Sequence, residues 1–392
     1  MLKIGYNTIE HDKTEFYKKR LHGDGRRKRE KIMASGLPTA LRHLREKQTP
    51  LRFGADGKFR ILHLTDIHEV PLPETDREGE NYTVERRKSI QSMNVINRCI
   101  ELAKPELVVF GGDNISGFPK NCTYGEMRST IKRIVKPVAD KNIPLAVIFG
   151  NHDSEMSDIH PYTQREIQLC IFAEYDNCRS TLNDEDIFGC ASCALPVLHS
   201  RSDKIAWNLW CLDSNDYIRA ADYSRPEDLG YDYVHSDQLE WRERTAERLK
   251  KENGGKTVPS IVFQHIPLLQ IYDLFAPAEA DDPNAFEKNG KYYKVPDDAF
   301  VSGKLREAPC PTSERRDEFE SWKKTGDIVG AFFGHDHPND FIAEIDGIKL
   351  VQTPGVRYYA NAGTQGGRLI VLDENNPTDF YTEVYQIPRL PE

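Results

Sequence analysis

Five short clusters of aspartate, asparagine and histidine recur along the 392-residue chain, and each offers oxygen or nitrogen atoms of the kind that bind metal ions. In chain order they are Asp66-Ile67-His68, Gly112-Asp113-Asn114, Gly150-Asn151-His152-Asp153, Gln264-His265 and Gly334-His335-Asp336-His337. Carboxylate, amide and imidazole ligands without cysteine suit Zn(II), Mn(II), Fe or Co rather than a closed structural zinc site. In an extended segment residues i and i+2 point the same way, so Asp66 with His68, and His335 with His337, should each aim two ligand atoms at one place. A single Asp-x-His or a lone histidine arises often by chance, whereas five such motifs in order, each closing an apolar run, do not.

The apolar runs are the elements that must position these residues. Residues 59–64 read as a strand leading into Asp66, 107–110 as one leading into Gly111-Gly112-Asp113, and 145–149 as one leading into Gly150. Strands at 260–264 and 328–333 lead in the same way into His265 and Gly334. Between the first two runs, Ile90, Met93, Val95, Ile96 and Ile100 fall mainly at three- and four-residue spacing, which predicts a helix and hence a β-α-β unit. A second helix is expected over 130–140, and a third from an N-cap at Ser236 to Lys250-Lys251. The unbroken apolar character of 145–149 suits a sheet covered on both faces, so helices must flank it. Strand ends are where α/β sheets gather ligand-binding residues from distant parts of the chain. The pairs 341–345 with 348–352 and 367–372 with 380–386 read as antiparallel.

With 38% hydrophobic and 29% charged residues the chain can bury a sizeable core, and its apolar runs are too short to span a bilayer. The sequence shows no secretory pattern at its start, which makes a cytoplasmic protein with no membrane partner the expectation. The net charge of −9 is uneven: residues 1–50 carry 13 Lys+Arg against 6 Asp+Glu, including Arg26-Arg27-Lys28-Arg29, so the remainder is strongly acidic. An acidic body argues against nucleic acid as a partner, because that function rests on neutralising phosphates. We therefore expect a basic N-terminal extension over 1–50 and a catalytic domain over 51–392. The domain should carry an insertion at 267–326, a proline- and tyrosine-rich stretch with little periodicity. Cys170, Cys178, Cys190 and Cys193 read as free thiols in a loop-rich stretch, with a structural zinc site or disulfide as the alternative.

The order Asp-x-His, Gly-Asp, Gly-Asn-His-Asp, His, Gly-His-x-His resembles the calcineurin-like metallophosphoesterase superfamily over residues 58–375. Gln264-His265-Ile266-Pro267 and the run 332–341 further resemble its single-domain branch related to purple acid phosphatases. The resemblance implies an α/β fold, a four-layer αββα sandwich of two mixed β-sheets flanked by helices. It implies two divalent transition-metal ions (Mn, Zn or Fe), one held by Asp66, His68, Asp113 and His337 and the other by Asp113, Asn151, His265 and His335, with Asp113 bridging. It also makes His152 the non-ligand histidine beside the substrate, with Asp153 orienting its imidazole.

The implied activity is hydrolysis of phosphate monoesters by a metal-activated hydroxide, on a phosphorylated small molecule or phosphoprotein. A phosphodiesterase or nuclease acting on nucleotides uses the same metal pair and stays open, and a catalytically silent scaffold would have been marked by lost ligands. Gly112-Asp113-Asn114-Ile115-Ser116-Gly117 and Asp153 depart from the Ser/Thr protein phosphatase motifs of the superfamily. The purple branch carries Asp-x-Gly and Gly-Asp-x-x-Tyr, whereas His68 and Ser116 stand at those positions here, so a colourless or pale protein is expected. The insertion, with Arg357-Tyr358-Tyr359, is expected to border the metals, and Arg357 joins Asn151 and His152 as a substrate-binding residue.

Overall fold

The computed structural model describes residues 49–72, 80–117, 122–157, 164–183, 186–218, 230–315, 317–357 and 365–391. Residues 1–48 lie outside this set, as do Tyr358 and Tyr359. The first half of the chain runs β1 (Leu51–Arg52), β2 (Lys58–Leu64), α1 (Glu80–Ala103), β3 (Leu107–Gly111), α2 (Tyr124–Ala139), β4 (Leu145–Ile148), α3 (Arg165–Phe172), β5 (Cys193–Leu198) and β6 (Ile205–Cys211). It continues through α4 (Ser236–Glu252), β7 (Ser260–Phe263), β8 (Ala276–Pro277), β9 (Phe286–Lys288), β10 (Lys291–Lys294), α5 (Glu318–Thr325) and β11 (Ile328–Phe333). The chain closes with β12 (Ile342–Ile345), β13 (Ile348–Gln352), β14 (Gly366–Asp373) and β15 (Asn376–Gln386).

Two mixed sheets form the body. The smaller has the order β15-β14-β2-β3-β4, with β2, β3 and β4 parallel and β14 antiparallel to both its neighbours. The larger has the order β1-β5-β6-β7-β11-β13-β12, with β6, β7, β11 and β13 parallel. Side chains alternate along each strand, so both faces of each sheet are covered. On β2, Ile61 joins Trp207, Leu209 and Phe263 in the layer between the sheets, while Leu62 and Leu64 pack with Val95 of α1, Ile131 of α2 and Leu169 of α3. On the far side, Trp210 and Phe333 of the larger sheet pack with Trp241 of α4 and Trp322 of α5. The layers are therefore helix, sheet, sheet, helix, the expected sandwich.

Several elements differ from the sequence reading. Helix α2 begins at Tyr124, well before residue 130, because Thr123 and Glu126 close a reciprocal capping box that outweighs Gly125 in the first turn. Helix α4 is capped by His235 rather than Ser236, and the Gln238 side chain accepts the His235 N–H at 2.8 Å. Within the expected insertion, 276–294 carries a small sheet, β8-β10-β9, while α5, which lies before the 326 bound, packs in the outer helix layer. Helix α3 and strand β5 were not anticipated. Cys170, Cys178, Cys190 and Cys193 form no disulfide, and Cys193 packs between the sheets. Among the described residues no helix is long and apolar enough to cross a membrane.

Candidate metal centre

All five motifs converge where β2, β3, β4, β7 and β11 end. The loops after β2 and β3 are zipped together, with Asp66 N–H donating to Gly112 O (3.0 Å) and His68 N–H to Asp113 O (2.8 Å). Asp66 (φ 53°), His68 (φ 43°), Asp113 (φ 49°) and His335 (φ 73°) all occupy the left-handed region. This backbone costs about 1–3 kcal/mol per residue and persists only where the surroundings enforce it. The pairs Asp66/His68 and His335/His337 are thus not extended, and alternation along a strand does not explain where they point. Asp66 and His68 do meet, but His335 and His337 part to opposite ends of the cluster. Gly112 (φ 95°) lies against His265, whose Nδ1 would sit 2.5 Å from any Cβ there, so only glycine allows this approach.

Two groups of ligand atoms result. Asp66, His68, Asp113 and His337 form one, and Asp113, His265 and His335 the other, with the atoms of each within 4.8 Å of one another. His68 Nε2 lies 3.6 Å from Asp66 Oδ1, 3.5 Å from Asp113 Oδ2 and 3.1 Å from His337 Nε2. His265 Nε2 lies 3.1 Å from Asp113 Oδ2. Asp113 is the residue common to both groups.

Each carboxylate has one oxygen pinned and one left over. Asp66 Oδ2 accepts from Thr65 Oγ1 (2.7 Å) and His335 N–H (3.0 Å), and Asp113 Oδ1 accepts from His152 N–H (2.8 Å). His265 turns Nδ1 to Gly111 O at 2.9 Å, which leaves Nε2 facing inward. Asp66 Oδ1, Asp113 Oδ2, Asn151 Oδ1, His265 Nε2 and His335 Nε2 are all buried without a hydrogen-bond partner. Buried polar atoms are normally satisfied, so five orphans on adjoining loops fit cations with oxygen and imidazole ligands. Burial alone would raise both aspartate pKa values, yet His68, His265 and His337 hold Asp66 below its ordinary value, and His265, His152 and His68 do the same for Asp113. Burial, reinforced by His265, pushes His335 down to about 3. His265 goes the other way: burial opposes its protonation, but the Asp113 carboxylate outweighs that and pushes it up to about 10.

His152 lies beside the cluster, with Nε2 4.0 Å from Asp113 Oδ2 and a side chain 36% exposed. Burial opposes its protonation, but the Asp113 and Glu155 carboxylates outweigh that and push it up to about 9. Asp153 does not orient it. The Asp153 carboxylate points inward and accepts from the backbone N–H groups of Asn114 (3.0 Å), Ile115 (3.0 Å) and Gly150 (2.9 Å), stapling two loops together. The partner of His152 is Glu155, whose Oε1 lies 2.8 Å from Nδ1.

Arg357 is also not where a substrate would meet it. It is buried, donating to His68 O at 2.6 Å and to Glu85 Oε2, and so braces a ligand loop from behind. Of the insertion, 306–310 packs on the loop bearing the two histidines, through Arg306 N–H to Asn339 Oδ1 (2.7 Å) and Cys310 N–H to Asp336 Oδ1 (2.9 Å). Tyr293 packs instead against Tyr272 and Phe286. The sequence reading missed Glu155, Tyr217 and Tyr231. Tyr217 OH meets Asn151, and the Tyr231 ring stands edge-on to His335 at 4.3 Å. Only Glu155 carried a sequence signal, its spacing of three from His152.

The model of the calcineurin-like phosphoesterase family matches residues 59–339. The Arabidopsis thaliana protein named "Probable inactive purple acid phosphatase 29" is 30% identical, over 83% of this chain and 79% of its own. "Probable inactive purple acid phosphatase 14" of the same plant is 28% identical, over 79% and 73% respectively. "Phosphatase DCR2" of Saccharomyces cerevisiae is 25% identical over 85% of this chain and 52% of its own.

Proposed function

The chain belongs to the calcineurin-like phosphoesterase family, and we propose that it hydrolyses phosphate monoesters at a centre of two divalent transition-metal ions. Asp66, His68, Asp113 and His337 would hold one ion, and Asp113, Asn151, His265 and His335 the other. The observation that carries this reading is the set of buried, unpartnered ligand atoms on these loops. Bound there, Mn, Zn or Fe would supply Lewis acidity toward a phosphoryl group and toward water. His152, partly exposed and with Nε2 toward the cluster, would give a proton to the leaving oxygen, help worth about a hundred- to ten-thousandfold. The substrate class of this reading is a phosphorylated small molecule or phosphoprotein, the acidic body arguing only against nucleic acid.

Although the plant relatives carry "inactive" in their names, this chain retains every ligand position of the motif set. Metal-free protein reloaded with Mn(II), Zn(II) or Fe(II) should hydrolyse p-nitrophenyl phosphate faster than its bis-ester and lose that activity to a chelator. Two bound ions with no turnover of either ester would instead make the chain a silent scaffold, and a faster bis-ester would make it a phosphodiesterase.

A further inference from the structure

Asn151 and His152 are adjacent in sequence but have different tasks in the proposed reaction, one a ligand and the other a proton donor. A single carboxylate connects them. Glu155 Oε1 lies 2.8 Å from His152 Nδ1 and accepts the Tyr217 hydroxyl at 2.9 Å, while the Tyr217 oxygen accepts from Asn151 Nδ2 at 2.8 Å. We propose that Glu155 is a positioning residue that, directly and through Tyr217, sets the orientation of both the His152 imidazole and the Asn151 amide. The proposal rests on the reading of the site given above.

The donor and acceptor inventory fixes the direction of every bond. An ionised carboxylate only accepts, so Tyr217 must spend its one hydroxyl proton on Glu155. Its oxygen can then only accept from Asn151, which must present Nδ2 to it and keep Oδ1 for the cluster. Asn151 Oδ1 is indeed buried without a hydrogen-bond partner. By the same logic His152 donates from Nδ1 to Glu155, which turns Nε2 toward Asp113 Oδ2 and the substrate side.

The surroundings are built for this arrangement. The 3₁₀ turn His152–Ser154 carries residue 155 back beneath residue 152. Ser154 Oγ ties that turn to Asp216 Oδ2 at 2.6 Å, next to Tyr217. Gly117 leaves the room that Glu155 fills, since a Cβ there would collide with the Glu155 carboxylate. Three separate segments thus meet at one carboxylate, which a half-exposed ion pair of no consequence would not require.

The test uses Glu155→Ala, Glu155→Gln and Tyr217→Phe, each checked for native circular dichroism. It combines calorimetric metal titration of metal-free protein with kcat and KM on aryl and alkyl phosphates of different leaving ability. Tyr217→Phe should weaken one of two metal sites by about tenfold, the scale of lost outer-shell partners, with or without turnover. Glu155→Ala should lower kcat by about tenfold or more with KM nearly unchanged, and the loss should deepen as the leaving group worsens. Glu155→Gln, which keeps an acceptor oxygen in place, should recover most of both properties. Folded Glu155→Ala and Tyr217→Phe proteins with wild-type metal titrations and an unaltered leaving-group dependence would overturn the proposal. Wild-type protein that binds metal without turning over any ester would refute the reaction, and the metal titration of Tyr217→Phe would still decide the Asn151 half.

Discussion

The two sheets contribute unlike halves of the centre. The smaller sheet brings Asp66, His68, Asp113 and Asn151 from the ends of β2, β3 and β4, whereas the larger brings only imidazoles, His265 after β7 and His335 and His337 after β11. The strain is divided in the same way, with three left-handed ligand residues on the first wall and one on the second. The difference has an electrostatic reason. Two carboxylates buried side by side repel and resist ionisation, so they need pinned geometry and opposing groups that carry no negative charge. The larger sheet supplies both, since His335 N–H fixes Asp66 Oδ2 and His265 Nε2 faces Asp113 Oδ2.

If the smaller sheet supplies the charge that both ions share, Asp113→Asn should have the largest effect, losing both ions and bringing turnover to background. Metal analysis per chain alongside kcat checks it, and two retained ions would move the shared charge elsewhere. His335→Ala, on the imidazole wall, should remove one ion and leave the other. Loss of both from that variant would erase the distinction between the walls. His152→Ala touches neither wall's ligands, so metal content should stay near wild type while kcat falls by about a hundredfold. Unchanged turnover would strike His152 from the reaction.

The smallest effect concerns support for the smaller sheet's loop. Arg357→Met removes the guanidinium that holds His68 O and Glu85, and should weaken metal binding at the His68 end by about tenfold in a titration. An unaltered affinity would show that the bonds between the loops after β2 and β3 hold His68 unaided.

Much of this was legible before the fold. Continuous apolar runs such as 107–110 and 145–149 can only be covered on both faces, and the residues that follow them must turn at a sheet edge. Ligand types and their order were therefore open to reading, as were the β12–β13 and β14–β15 pairs, whose short connections leave little choice. The small sheet over 276–294 was not, because strands of two to four residues carry too little pattern to register. Helix α5 escaped for a similar reason, being eight residues long and preceded by a long irregular stretch.

What the sequence determined by itself is which atoms the chain brings to the sheet edge, because residue type and strand ends are local properties. What only the tertiary structure decided is where those atoms point. Asp153 looked inward to staple two loops, Arg357 went behind His68, and Glu155 took the imidazole that Asp153 was expected to hold. His335 and His337 separated because the backbone turns left-handed at His335 instead of continuing extended. Glu155 is three residues from His152, but the other contacts join parts far along the chain, as with Asp153 and Asn114, 39 residues apart, and Arg357 and His68, 289 apart. No spacing rule reaches across such distances, since the contacts exist only once two sheets have packed face to face and set their loops against each other.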